Sequence, residues 1–144
     1  MPAWVKAGVD DYLRRMPREL SCTLTEIKAD TRAGMAVAQL LAAEAARIEA
    51  ALPDGAVRVV LDERGSMLTT QELAEKFARW MQDGRSVAFI IGSADGLDAS
   101  LKKKADLRLA LSAFTLPHAL ARVVLVEQLY RVFSLLKNHP YHRE

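Results

Sequence analysis

Val57-Arg58-Val59-Val60-Leu61-Asp62 is a short β-branched run set just after the turn residues Pro53-Asp54-Gly55. β-Branched side chains lose rotamer freedom in a helix and pack well on a pleated surface, so the run reads as a strand. Two runs of the same kind follow, Val87 to Ile91, which ends in Gly92, and Leu107 to Leu111. Between the first two lies a helix from Thr69 to Gln82. Thr69 and Glu72 have the spacing of a capping box, and Gly84 stands where a helix stop is expected. Between the second and third come a loop and a short basic helix. Short apolar strands separated by helices imply a parallel sheet covered on both faces, an α/β architecture.

Working outward, Pro2 to Met16 reads as a helix that Pro17 ends, with Trp4, Val5, Val9, Tyr12, Leu13 and Met16 near helical spacing. Ser21 to Lys28 alternates polar and apolar residues and reads as a strand. Thr31 to Leu52 is Ala-rich and helical, with Gly34 a weak point near its start. Pro117 opens a final helix that runs to about Lys137. Its polar positions Glu127, Arg131, Ser134 and Asn138 make one narrow stripe, and apolar residues cover most of the rest. So broad an apolar surface calls for burial on more than one side, by a dimer interface or by a central place within one subunit.

The chain has 144 residues, 51% of them apolar, which suits a single domain over residues 1–144 with a substantial core. No run approaches the roughly 20 apolar residues that span a bilayer. The opening Met1-Pro2-Ala3-Trp4 lacks the basic-then-apolar pattern of a signal peptide, and the one cysteine, Cys22, excludes an internal disulfide. A cytoplasmic, membrane-free protein is expected. Net charge is +2, too weak to announce a nucleic-acid binder. Lys102, Lys103, Lys104 and Arg108 nevertheless cluster, and all three histidines, His118, His139 and His142, fall in the last stretch. From charge alone, a solvated basic face is the better account of the cluster.

Ligands of an open parallel sheet bind beyond the carboxyl ends of its strands. Here those ends are Leu61-Asp62, Ile91-Gly92-Ser93 and Leu111-Ser112. Gly92-Ser93-Ala94-Asp95-Gly96 allows close backbone approach or is a plain strand-to-helix turn. It fits neither the dinucleotide fingerprint nor a P-loop, which argues against a dehydrogenase. Leu111-Ser112-Ala113-Phe114-Thr115-Leu116-Pro117-His118 is too apolar for an ordinary solvent loop. Its backbone groups must find partners, in a ligand such as an adenine ring or within the loop itself. The ending Asn138-His139-Pro140-Tyr141-His142-Arg143-Glu144 puts two imidazoles, a phenol and a guanidinium close together. It reads either as a frayed tail or as groups that stack on a base, hold phosphate and move protons. The histidine spacing suggests no metal, and no Ser-His-Asp or nucleophile-elbow signature appears.

Taken together, Ile90-Ile91-Gly92 with Gly96, Leu111-Ser112-x-x-Thr115-Leu116-Pro117-His118, Arg122-Val123, Glu127-Gln128-x-Tyr130-Arg131 and Asn138-His139-Pro140-Tyr141-His142 resemble the RlmH family. That family is a SPOUT-class group that methylates N3 of a pseudouridine in large-subunit (23S) ribosomal RNA. Met1-Pro2-x-Trp4-Val5 and Tyr12-x-Arg14-Arg15 extend the resemblance over almost the whole chain. The resemblance implies an α/β knot with a deep C-terminal trefoil, a homodimer, S-adenosyl-L-methionine as cofactor, and the assembled ribosome as substrate. It implies that Leu61, Gly92, Leu111, Ser112, Ala113, Phe114, Thr115 and Leu116 line the cofactor pocket and that the tail helps to hold RNA.

On that basis His142 and His118 are candidates for the base that takes the N3 proton, and Arg143 and Arg122 for charge stabilisation. Tyr141 is the candidate contact to the target base, and His118, Arg122, Tyr141, His142 and Arg143 form the RNA-binding set. His118, at a helix start, has a purely structural reading as well. Two departures stand out. Family members begin with a strand and a Gly-Lys turn before Met-Pro-x-Trp, so either the start lies upstream or the sheet lacks an edge strand. The usual Gly-Gly-x-x-Gly loop has Ser93 at its second place, which is expected to weaken or reshape cofactor binding. A SPOUT enzyme with another RNA target and a non-catalytic ribosome- or cofactor-binding paralogue are the alternatives.

Overall fold

The computed structural model describes residues 1–28, 34–93 and 95–143. Helix α1 covers Ala3–Arg15 and α2 covers Val37–Ala51. Strand β1, Val57–Met67, is followed by α3, Thr70–Gln82, then β2, Val87–Ile90, and the short α4, Ala99–Lys103. Strand β3, Leu107–Ala110, leads into α5, His118–Leu136, and a 3-10 turn closes the chain at Pro140–Arg143.

The three strands form one sheet in the order β2-β1-β3. Both pairings are parallel, with Val57 opposite Val87 and Val59 opposite Leu107. The expected α/β architecture is therefore present, and its pleat explains the core. Val57, Val59 and Leu109 point to one face, where Leu73, Phe77, Leu125, Val132 and Phe133 of α3 and α5 meet them. Val60 and Ile90 point to the other face, against Ala45 and Ile48 of α2 and Leu101 of α4. Burying each such side chain contributes roughly 1.5–3 kcal/mol.

Local signals place the elements. Thr69 Oγ1 accepts from the Glu72 amide at 3.1 Å and Glu72 Oε1 accepts from the Thr69 amide at 2.9 Å, so the capping box forms. Gly84, at φ 68°, ends the turn after α3. Asp98 caps α4 by accepting from the Ser100 amide at 2.8 Å. Arg58 ties β1 to α2 through a two-armed bond to Glu49 at 2.7 and 2.8 Å, which holds the Glu49 carboxyl below its ordinary range.

Two expectations change. Ser21 to Lys28 is no strand: among the described residues nothing pairs with it. Cys22 packs against the main core, Ile27 packs against the α2 side, and the Lys28 carbonyl accepts from Arg47 at 2.8 Å. Alternation marks a half-buried extended segment, but a strand also needs a neighbour to bond. The helix expected from Thr31 begins only at Val37. Residues 31–33 lie outside the described residues, and Gly34 at φ 88° breaks the helical path.

Helix α5 packs on two sides within the chain. Val132 and Phe133 pack on the sheet side, and Val126 packs with Val5 and Val9 of α1. Gly8 of α1 faces Val123 of α5, where a Cβ would stand at van der Waals distance, 3.4 Å from Val123 Cγ1. Strand β1 also runs further than its β-branched run. Its pairing with β3 breaks between Leu61 and Ser66, then resumes with Ser66 opposite Leu109 and Met67 opposite Ala110. Gly65 crosses β3 within this excursion, where a Cβ would stand 2.5 Å from the Arg108 carbonyl oxygen.

Gly65→Ala must therefore push β1 and β3 apart, at a cost of about 2 kcal/mol or more. A denaturation midpoint equal to that of the parent would show that the crossing is loose. Buried Glu44 on α2 offers a second test. Burial pushes its carboxyl up from the ordinary range, Arg47 opposes the shift and Asp95 adds to it. The folded state then holds this proton more tightly than the unfolded chain does. Its contribution to stability is present below the unfolded carboxyl pKa and is lost as pH rises through the folded one. Glu44→Gln is expected to raise the melting temperature at neutral pH and to change little below the ordinary carboxyl range.

Candidate active site at the two ends of α5

The segment Leu111 to Leu116 joins β3 to the start of α5. Leu111, Ser112 and Leu116 are half-buried, whereas Ala113, Phe114 and Thr115 are exposed, Phe114 at 83%. Its one turn-forming bond runs from the Phe114 amide to Ser112 Oγ at 2.9 Å. The amides of Ser112, Ala113, Thr115 and Leu116 have no protein partner among the described residues. Such a loop offers donors and acceptors together with an aromatic ring, the equipment that holds a purine.

Leu61, half-buried, pairs with Leu109 beside this segment. Gly92 lies two residues beyond β2, where a Cβ would stand 2.7 Å from the Gly96 carbonyl oxygen. Its bare α-carbon thus serves the turn in which Ser93 bridges Gly96. Ala94 of that turn is outside the described residues. Asp62, next to Leu61, has a side chain only 6% exposed; it accepts from the Arg64 amide at 3.0 Å and has Arg108 at 3.8 Å.

His118 and Arg122 stand at the same end of α5, His118 exposed and Arg122 half-buried. Pro117 is the residue before the helix, and its fixed φ suits that place. Seen this way, His118 is free to meet a ligand and also begins a helix.

The C-terminal residues fold back on the other end of α5. His139 donates its amide to the Ser134 carbonyl at 2.8 Å. Ser134 Oγ donates to the His139 carbonyl at 2.6 Å, accepts from the His142 amide at 3.0 Å, and lies 2.9 Å from His142 Nδ1. Tyr141 is held as firmly. Its hydroxyl donates to Glu127 at 3.2 Å and lies 3.1 Å from the Tyr12 hydroxyl, Arg131 stacks 5.0 Å over its ring, and Tyr130 packs edge-on at 4.7 Å. Burial, the Tyr12 bond and the Glu127 charge push its phenol well above the ordinary range, so it stays protonated. Glu127 in turn accepts from Arg131 at 2.6 and 2.9 Å. Arg143 is exposed. The ending is an ordered turn through residue 143, and Glu144 lies outside the described residues.

The sequence-based candidates thus divide into two groups. His118, Arg122 and the loop 111–116 lie at one end of α5, and Tyr141, His142 and Arg143 at the other. The helix has 19 residues, a length of about 27 Å. No spacing rule in the primary structure announces that separation. Ser134 and Tyr12, which hold the tail, were legible only as members of a polar stripe and an apolar face.

Two further features bear on chemistry. Cys22 is packed against the core and burial pushes its thiol up, so it is the small structural residue rather than a nucleophile. Among the described residues no group of His, Cys, Asp or Glu could hold a metal ion, and no helix is long and apolar enough to cross a membrane. The basic cluster is partly neutralised, Lys104 by Glu49 at 3.7 Å and Arg108 by Asp62 at 3.8 Å. Lys102, Lys103 and Arg64 line a shallow groove of about 770 Å³ between α4 and the crossing of β1 over β3.

The chain is similar to known proteins over nearly its whole length. A protein of Dechloromonas aromatica named ribosomal RNA large subunit methyltransferase H is 57% identical over 143 residues, 99% of this chain and 92% of the relative. Proteins of the same name from Burkholderia vietnamiensis and Nitrosospira multiformis are 56% and 57% identical over 144 residues, with the same coverage. The family described as "Predicted SPOUT methyltransferase" matches residues 1–142. With nearly its whole length matched, the chain belongs to the SPOUT methyltransferase family.

Proposed function

We propose that the chain methylates N3 of a pseudouridine in 23S ribosomal RNA on the assembled ribosome, with S-adenosyl-L-methionine as methyl donor. It acts as a cytoplasmic homodimer whose C-terminal region is threaded as a trefoil knot. The reading is supported by family membership, by relatives of 55–57% identity named as ribosomal RNA large-subunit methyltransferases, and above all by the position of the two groups on α5.

The donor fits the loop. Among the described residues the amides of Ser112, Ala113, Thr115 and Leu116 are unpaired, Phe114 adds an exposed ring, Leu61 lies on the neighbouring strand opposite Leu109, and Gly92 follows β2, the strand beyond β1. When bound, S-adenosylmethionine supplies a methyl group already activated on a sulfonium. The protein's own work is then to orient the target base and to remove the N3 proton. His142 Nε2 takes that proton. Arg143, exposed beside it, and Arg122 with His118 at the other end steady the RNA and its developing charge. Tyr141 has its phenol and one ring face engaged within the chain, so it anchors the tail and presents its remaining edge to the base.

A methyl donor near Leu116 and a base at His142 lie at opposite ends of a helix about 27 Å long, too far apart to act on one nucleotide within one subunit. The tail must therefore come from a second copy. Trp4, Met67 and Phe114, each more than half exposed, are apolar groups that a second copy would cover. Lys102, Lys103 and Arg64, whose side chains have no partner among the described residues, face ribosomal phosphates across their groove.

Complementation tests the shared site. Arg122→Glu and His142→Ala chains are each expected to lose at least 100-fold, roughly, in methyl transfer to ribosomes lacking the modification. Mixed, they are expected to regain about a quarter of the parent rate, because half of random dimers are mixed and each has one intact site. No recovery in verified mixed dimers would place both residues in one subunit and sink the shared site; full turnover by His142→Ala alone would remove the base. Unmodified transfer RNA, assayed beside the ribosomes, separates the alternative of another RNA target. For the groove, the Lys102→Ala, Lys103→Ala double variant is expected to weaken ribosome binding and to lower the slope of log affinity against log salt by about 2. An unchanged slope would leave the groove a solvated face.

A further inference from the structure

We propose that Ser134 is a positioning residue that fixes His142 in the tautomer protonated at Nδ1, leaving Nε2 as an open acceptor. The inference rests on the reading of His142 as the base, and it adds the group that makes that base competent.

The argument counts protons. Ser134 Oγ has one proton and two lone pairs. It lies 2.6 Å from the His139 carbonyl oxygen, 3.0 Å from the His142 amide nitrogen and 2.9 Å from His142 Nδ1. A carbonyl oxygen brings no proton, so the short contact to His139 consumes the only one the hydroxyl has. The His142 amide brings its own and occupies one lone pair. What remains toward Nδ1 is the second lone pair. Two lone pairs face to face at 2.9 Å would repel, so Nδ1 must carry hydrogen. A neutral imidazole has a single N–H, and Nε2 is then bare. Among the described residues no hydrogen bond reaches Nε2.

Ser134 cannot turn away from this duty. It is 3% exposed in the last turn of α5, and its own carbonyl accepts from the His139 amide at 2.8 Å. Any other rotamer abandons three bonds in a buried setting, where an unsatisfied polar group is costly. When Nε2 takes a proton, the imidazolium keeps its Nδ1–H on Ser134 Oγ, and the hydroxyl proton stays on the His139 carbonyl. No second proton has to move.

The same bonds also staple the terminal turn, so the test must tell tautomer from staple. The first measurement is a two-bond ¹H–¹⁵N correlation of the His142 ring in the full chain, labelled at histidine, above the imidazole pKa. The expected signature is a protonated Nδ1 and a pyridine-like Nε2. A protonated Nε2, or the averaged pattern of free histidine, would overturn the proposal whatever the activity. Ser134→Ala is expected to lose the signature and about 10-fold in kcat with KM for ribosomes little changed, and Ser134→Thr, which keeps the hydroxyl, to restore both. Retention of tautomer and kcat in Ser134→Ala would equally overturn it. If the alanine variant loosens the turn, His142→Asn decides the remaining point. Its amide keeps a donor near Nδ1 but offers nothing at Nε2, so an ordered turn with lost turnover is expected. Full turnover by His142→Asn would instead refute His142 as base, a failure of the functional reading that leaves the tautomer result standing.

Discussion

Val132 has no exposed surface, and it sits where α5 meets the sheet. The remainder of the fold follows from the need to cover that helix. α5 is apolar around most of its circumference, so one packing partner is not enough. The sheet and α3 take one side through Leu125, Leu129 and Phe133, and α1 takes another through Val5 and Val9 against Val126. The narrow polar stripe that is left cannot face bulk solvent alone either. Glu127, Arg131 and Ser134 are half-buried or buried, and they find their partners in the C-terminal turn. Burial of the helix thus orders the tail.

That coupling has a functional side. A tail held by Ser134, Glu127 and Tyr12 is pre-organised, which under the proposed function spares its imidazole an ordering cost on binding. The loop at the other end of α5 is built oppositely, with backbone groups unpaired and Phe114 exposed. The helix between them keeps the two ends about 27 Å apart within the chain. The sheet contributes by setting the loop's position. β1 first pairs with β3, leaves it across residues 62–65 and returns at Ser66, with Gly65 pressed on the Arg108 peptide.

The three strands, the capped helix α3 and the apolar final helix were legible in the amino-acid sequence, because each depends on neighbours a few residues away. β-Branched runs, a Thr-x-x-Glu cap and a glycine stop act locally. The failures have the same origin in reverse. Ser21 to Lys28 alternates like a strand, yet strand formation needs a partner that the segment itself cannot supply. The helix expected from Thr31 begins later because a left-handed Gly34 precedes it. β1 outran its β-branched core because pairing with β3, rather than propensity, carries Ser66 and Met67.

The chain's composition and motifs determined its class, its family and the residue types available for chemistry, since these are properties of side chains in order. Which of those residues meet was decided only by the tertiary structure. His118 and His142 look alike in the sequence, two imidazoles in one basic stretch, but a helix of about 27 Å separates their ends of the molecule. Ser134 looked like one polar position among four. Its burial beside His139 and His142 turns its single proton into a constraint on the tautomer of a residue eight positions away. Hydrogen bonds are short and directional, so their consequences appear only when the chain has folded and brought donor and acceptor within reach.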